Sequence, residues 1–295
     1  MLGHQLAGNL VQGLILGAVY GMATMGLSLI FGVLKIVNVG HGAFMMVGAF
    51  IALTTFKLLG LPPVVAIPAA FLIGMGIGFI FYHTAIRKLI NAPELSSLLA
   101  TFAFGIILEE LIKLIYGSEH RGYNWALGKI SLGFTVIPYT KLIAFVGSIL
   151  IALILYLWFN KTKAGKALRS VVEDSEGARV CGINVEWEYA LSFSLGIGLT
   201  VASGVLLTLF IPVGINPYMG GQYTLKAFVI AVLGGLESPY GAFFGGLIFG
   251  LIENGSYTLF ANIPNIEPFA MTRFFSFVML LVILLIRPEG LLKTK

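Results

Sequence analysis

Long apolar runs follow one another along the chain, parted by short clusters of Gly, Pro and charged residues. A hydrocarbon layer roughly 30 Å thick needs about 20 apolar residues per crossing helix. Runs of that kind extend from Leu6 to Leu34, His41 to Leu59, Pro63 to Ile86, Leu95 to Tyr116, Pro138 to Phe159 and Tyr189 to Ile211. Two more follow, Tyr240 to Ala261 and Phe269 to Ile286. Between them Leu225 to Leu236 is only 12 residues long. As a helix it would span roughly 18 Å, too short to cross. That piece is predicted to form a broken or re-entrant pair with the run after GGLESPYG. The expected fold is therefore an all-α polytopic membrane protein of about 8–10 transmembrane or re-entrant helices, with residues 1–295 forming one domain. Gly13, Gly17 and Gly21 fall four apart on one face, as do Ser192, Gly196, Thr200 and Gly204. Such faces let neighbouring helices approach closely.

The longest polar run is Asn160 to Glu188, NKTKAGKALRSVVEDSEGARVCGINVEWE. Leu168, Val171, Val172 and Ala178 recur there at roughly helical spacing, with charges between them. Asp174 or Ser175 is placed to cap a second short helix, and Gly182 to end it. Gly165 to Gly182 is thus predicted to fold as two short helices. One reading is a solvated basic loop that sets topology. The other is a docking element, with Leu168, Val171, Val172 and Ala178 as its apolar contact face and Arg169, Glu173 and Asp174 as charges at the rim.

Composition agrees with a membrane body: 58% of residues are hydrophobic and 11% charged, against roughly 25% charged in soluble domains. The formal charge of +5 becomes a topology signal rather than a nucleic-acid signal. With the polar run in the cytoplasm and each apolar run counted once, 11 of the 18 Lys and Arg fall inside, among them Lys35, Arg87, Lys88, Arg287, Lys293 and Lys295. The N-terminus is then outside and the C-terminus cytoplasmic. The start, MLGHQL, has no basic n-region and the first apolar run is too long for a cleavable signal, so none is expected. Cys181 is the one cysteine, which excludes an intrachain disulfide.

The sequence contains no G-x-x-x-x-G-K-[ST] run to hold ATP phosphates and no G-x-S-x-G elbow. Its four His and one Cys make no metal-spaced cluster, so no catalytic or metal site is expected. Glu109 and Lys113, four apart, are expected to pair on one helix face. Glu253, inside GGLIFGLIENGSYTLF, is a functional candidate because ionisable groups in membrane segments are costly. Its alternative is a carboxylate that packs helices. Asn38, Asn216 and Glu253 are each polar within or beside apolar, glycine-rich sequence and are expected near a central cavity.

GNLVQGLILGAVYGMATMGLSLIFGVLKIVNVGHGAFMMVGAF, from Gly8 to Phe50, resembles the opening of bacterial branched-chain amino-acid ABC-transporter permeases. The polar run resembles their ATPase-contacting segment, which Gly165, Ala167, Arg169, Glu173, Asp174, Gly182, Ile183 and Asn184 match. INPYMG at Ile215 to Gly220, KAFVIAVLGGL at Lys226 to Leu236 and RPEGLL at Arg287 to Leu292 continue the resemblance. Glu237 departs from it, standing where the family commonly has glycine, with Pro239 directly after Ser238.

The resemblance implies a permease subunit in the bacterial inner membrane, of the shorter H type. It further implies a second, M-type permease, two cytoplasmic ATPases contacted by residues 160–188, and an external solute-binding protein. It implies leucine, isoleucine or valine as cargo. ATP and magnesium belong on the partner ATPases, with no cofactor on this chain. The competing class is a stand-alone secondary transporter or channel, which the short broken segment also suits. A membrane enzyme comes third, for want of a catalytic cluster.

Overall fold

The computed structural model describes residues 2–265 and 267–286. RPEGLL and the cations Arg287, Lys293 and Lys295 lie outside the described residues, as does the C-terminus. Apart from one short hairpin, the described residues form a helical fold, as the long apolar runs require. Helix α1 (Leu2–Leu34) is followed by an extended linker and α2 (His41–Leu59). Helix α3 (Ala66–Phe81) starts from a 3-10 turn at Pro63–Val65 and runs through a π-helical turn, Tyr82–Ile86, into the short α4 (Arg87–Leu89). Then come α5 (Glu94–Tyr116), a hairpin of β1 (Lys129–Ser131) and β2 (Val136–Pro138), and α6 (Tyr139–Lys161). The polar run forms α7 (Lys163–Glu173) and α8 (Ser175–Val180). Last are α9 (Val185–Leu207), α10 (Gly220–Gly234), α11 (Pro239–Phe260) and α12 (Pro268–Ile286).

Among the described residues, nine of these helices have 15 residues or more, which agrees with the expected polytopic class. Five are long and apolar enough to cross a membrane, and α10 with α11, bent by 112°, makes a broken span or a re-entrant pair. The expected broken pair is therefore present. Its first half begins at Gly220 rather than Leu225, because Asn216 caps a 3-10 turn, Pro217–Met219, that leads into it.

Helices α1 and α9 form the buried axis, and α3 and α6 lie outside them with mostly exposed apolar surface. The glycine faces explain this order. Gly13, Gly17 and Gly21 of α1 meet Gly250, Gly246 and Phe243 of α11, so the two helices run antiparallel in near backbone contact. On α9, Gly196 meets Gly26 of α1, and Gly204 meets the backbone of Met45 on α2. With the Cβ atoms gone, dispersion contact between backbones holds the helices together where no hydrophobic effect can.

Helices α2 and α10 both begin inside the bundle. A Cβ on Gly42 would collide with the carbonyl of Gly220, and the Gly42 amide donates to Thr224 Oγ1 at 2.8 Å. The 117–138 segment closes over the 208–219 segment that leads into α10. Arg121 and Ile215 exchange backbone hydrogen bonds of 2.7 and 3.1 Å. Tyr123 donates to Thr208 Oγ1 at 2.6 Å, and burial pushes its hydroxyl up to about 12.

Two expectations change. Lys113 pairs with Glu110, one residue past Glu109, because the i,i+3 side chains meet here instead of i,i+4. The turn at Glu237 is accommodated without distortion: Gly235 takes φ +99°, Ser238 Oγ accepts from Gly241 N at 3.0 Å, and Pro239 opens α11.

Candidate functional site

Two places concentrate polar chemistry: the α7–α8 element at one end, and the surroundings of α10 inside the bundle. Thr162 caps α7, its Oγ1 accepting from Gly165 N at 3.0 Å. Asp174, not Ser175, caps α8, with Oδ1 accepting from the amides of Glu176 and Gly177 at 3.0 Å each. Gly182, at φ +84°, ends α8, and Ile183 N reaches back to the Ala178 carbonyl at 3.0 Å. Gly165 lets α7 lie directly on the end of α6, since a Cβ there would strike the Phe159 backbone.

The predicted contact face is corrected in part. Leu168, Val171 and Ala178 are buried inside the chain, Val171 and Ala178 against Val185, Ile183 and Tyr189. The reason is that α9 starts only a few residues after α8 and presents its own apolar side chains to the pair. These three residues seat α7 and α8 on the body, and no partner reaches them in this arrangement. The outward surface includes Val172, Val180, Arg169, Glu173, Asp174 and Arg179, together with Lys163, Lys166, Ser170 and Glu176. Val180, 89% exposed, escaped the sequence reading because it stands outside the helical repeat that picked out the others. Arg169 also ties the element inward, donating to Asn160 Oδ1 at 3.2 Å.

The three polar residues expected near a cavity all neighbour α10, in different ways. Asn38 is fully buried in the α1–α2 linker, and neither of its amide atoms has a partner among the described residues. Thr101 of α5 and Thr224 of α10 bind the linker around it: Thr101 Oγ1 donates to Val37 O at 3.2 Å, and Thr224 Oγ1 to Val39 O at 3.3 Å. His41, also fully buried, lies 3.4 Å from Thr200 Oγ1. Asn216 is half-buried, and its Oδ1 accepts from Tyr218 N at 3.0 Å. Glu253 of α11 pairs with Lys226 of α10 at 2.6 Å. Lys226 donates to the Tyr20 hydroxyl at 2.9 Å, with its ammonium 4.8 Å from that ring. Of the three, Glu253 lines a small cleft, which Arg273 of α12 also lines. Sequence reading missed Tyr20, Lys226 and Arg273. Lys226 stood inside a quoted motif, but nothing in the sequence joined it to a carboxylate on another helix.

The face turned away from α2 is exposed at Tyr218 in the 3-10 turn and at Gly221, Gln222 and Leu225 of α10. Along one helix these positions form a single stripe. Gln222 is the polar member of that stripe.

Relatives with this organisation are known. Residues 9–285 match the family described as branched-chain amino acid transport system, permease component. The high-affinity branched-chain amino acid transport system permease protein BraD of Pseudomonas aeruginosa is 30% identical, over 96% of this chain and 94% of its own. The corresponding protein LivH of Escherichia coli is 28% identical over the same shares. The probable branched-chain amino acid transport permease protein LivH of Methanocaldococcus jannaschii is 30% identical over 92% of this chain and 87% of its own. A solved structure, PsaBC from Streptococcus pneumoniae in complex with Fab, aligns with TM-score 0.49 and 17% identity over 96% of this chain and 92% of that chain. With the family matched from the first helix into the last, the chain belongs to the branched-chain amino-acid ABC-transporter permeases.

Proposed function

We propose that this permease is the H-type subunit of an ATP-driven importer for leucine, isoleucine and valine or other hydrophobic amino acids. It would form the translocation path with a second, M-type permease, take cargo from an external binding protein and be driven by two cytoplasmic ATPases carrying ATP and magnesium. The family assignment favours this over a stand-alone transporter. Residues 160–188 are the coupling element, with the N-terminus outside and the C-terminus in the cytoplasm of a bacterial inner-membrane protein.

The observation that carries the coupling proposal is the seating of α7 and α8. Both are capped, α7 packs on α1, α6 and α9, and α8 packs on α9. A rigid handle of this kind transmits force from a partner to several helices at once, which a solvated loop cannot do. Val172 and Val180 offer it apolar anchors, with Arg169, Glu173, Asp174 and Arg179 around them. Burying one exposed Val is worth about 1.5–3 kcal/mol, more than a rim ion pair at about 0–1 kcal/mol. Co-purification with the ATPases tests this. Val180→Asp should lose the ATPases while the permease pair stays intact, and full retention would reduce the element to a topology signal.

For the path we propose that cargo follows the exposed face of α10, with Asn216 and Glu253 bordering it and Asn38 buried behind the helix. An exposed Gln222 is poorly placed against lipid and well placed against an aqueous path or a second permease. A buried amide without partners, as at Asn38, costs about 1–3 kcal/mol. Such a cost is sustained when another arrangement of α10 and the linker satisfies the group.

A further inference from the structure

We infer that the cleft between α10, α11 and α12 is a transient binding site for a zwitterionic aliphatic amino acid. The inference rests on the transport reading above and adds to it a cargo site on this chain. Lys226 and Glu253, paired at 2.6 Å, both line the cleft, and Arg273 lines it with them. One carboxylate and two cations leave a surplus positive charge. Arg273 has no ion-pair partner among the described residues. Among the described residues Glu253 Oε2 is buried and accepts no hydrogen bond, with the Tyr20 hydroxyl as its neighbouring polar group. A carboxylate oxygen buried in a membrane segment without a donor is costly, and Arg273, exposed on α12, brings a guanidinium to the same cleft.

A free amino acid answers both. Its carboxylate suits the forked donors of Arg273, and its ammonium suits Glu253 Oε2. Val229, Phe249 and Phe277 supply an apolar wall for an aliphatic side chain. A phosphate or simple carboxylate would satisfy the arginine alone, and an amine the glutamate alone. The cleft also lies beside the proposed path, because Lys226 and Val229 stand one turn past Gln222 and Leu225, which are exposed on α10. Its volume of about 20 Å³ admits no more than a water-sized body. The described state is thus closed, and α12 must separate from α10 to admit cargo.

The test uses the full transporter, permease pair with ATPases and loaded binding protein, in vesicles with and without phosphatidylglycerol. Leucine delivered and ATP hydrolysed are measured together. Arg273→Gln is the main variant, since Arg273 is exposed and holds no helix in place. It should lower leucine delivered per ATP roughly tenfold while ATP hydrolysis stays within about twofold, and Arg273→Lys should recover much of the loss. Glu253→Gln should act in the same direction. Hydrolysis and delivery falling together would mean a structural role, and neither falling would mean no role; each overturns the site. A wild-type loss in phosphatidylglycerol-free vesicles that matches Arg273→Gln would assign the arginine to a lipid headgroup and overturn it as well. If Arg273→Gln is silent while the wild-type complex accumulates leucine with ATP, the site fails and the transport reading stands. If the wild-type complex accumulates none, the transport reading fails and the site with it.

Discussion

The Lys35 ammonium lies 2.5 Å from the Glu237 carboxylate, joining the end of α1 to the turn between α10 and α11. Lys35 holds φ +57°, a left-handed conformation that costs a side-chain-bearing residue about 1–2 kcal/mol. Both side chains are more than half exposed, so their attraction is worth only about 0–1 kcal/mol. Glu237→Gln should therefore lower stability by less than about 1 kcal/mol. Lys35→Gly loses the same pair but relieves the backbone, and should cost nothing measurable. Thermal unfolding of the purified chain in detergent distinguishes the two, and a larger loss for Lys35→Gly would refute the strain account.

Val171 and Val180 should separate two roles of the coupling element. Val171→Asp places a carboxylate among Ala178, Val185 and Tyr189 and should destabilise the seating of α7 and α8 by at least about 2 kcal/mol. Protease cleavage within 163–182 should then speed up in the permease alone. Val180→Asp touches no buried neighbour and should leave that cleavage rate unchanged while ATPase association falls. Equal behaviour of the two variants would reject the division.

The α1–α11 seam makes a sharper structural prediction. A Cβ on Gly246 would strike the Gly21 backbone, whereas one on Gly255 meets nothing nearer than Leu10 Cδ2 at 3.4 Å. Gly246→Val should abolish recovery of folded protein from the membrane, and Gly255→Ala should be tolerated. Folded yield by size-exclusion chromatography reads both.

Cys181 provides a built-in probe of topology. It is exposed in the turn after α8, and the sequence has no other cysteine. A membrane-impermeant maleimide should label it in inverted vesicles and spare it in intact cells. Labelling from outside would invert the whole topology and end the coupling proposal with it.

Elements governed by periodicity or by local caps were legible in the sequence. The apolar runs gave the helices, α2 matching His41 to Leu59 at both ends, and Asp174 and Gly182 bounded α8 as their chemistry requires. Glycine spacing announced the close face of α1, though not that α11 would fill it. What stayed hidden depends on neighbours distant in the chain. Leu168 and Val171 show an amphipathic repeat whether the covering surface is a partner or the chain's own α9, and spacing alone cannot choose between them. Likewise Lys226 and Glu253 stand on different helices, and their pairing follows from the bend that folds α10 against α11.

That pair supports the last prediction. Lys226 and Glu253 are 21% and 15% exposed at their side chains, buried enough that removing one partner leaves the other charge poorly solvated. Breaking such a pair costs about 3–5 kcal/mol, while replacing both partners by apolar residues of similar size is often neutral. Glu253→Leu alone should therefore destabilise the chain strongly, since among the described residues Lys226 would keep only the Tyr20 hydroxyl and the Tyr20 and Tyr223 rings. Lys226→Met with Glu253→Leu should recover most of that loss. Transport should not recover with it, because the double variant has lost the carboxylate that the cleft offers to an ammonium. Unfolding midpoints and ATP-driven leucine uptake, measured on the same three proteins, keep the two effects apart. A double variant as unstable as the single one would show that the pair does not act as a unit. A double variant restored in both stability and uptake would leave Glu253 as a helix-packing residue.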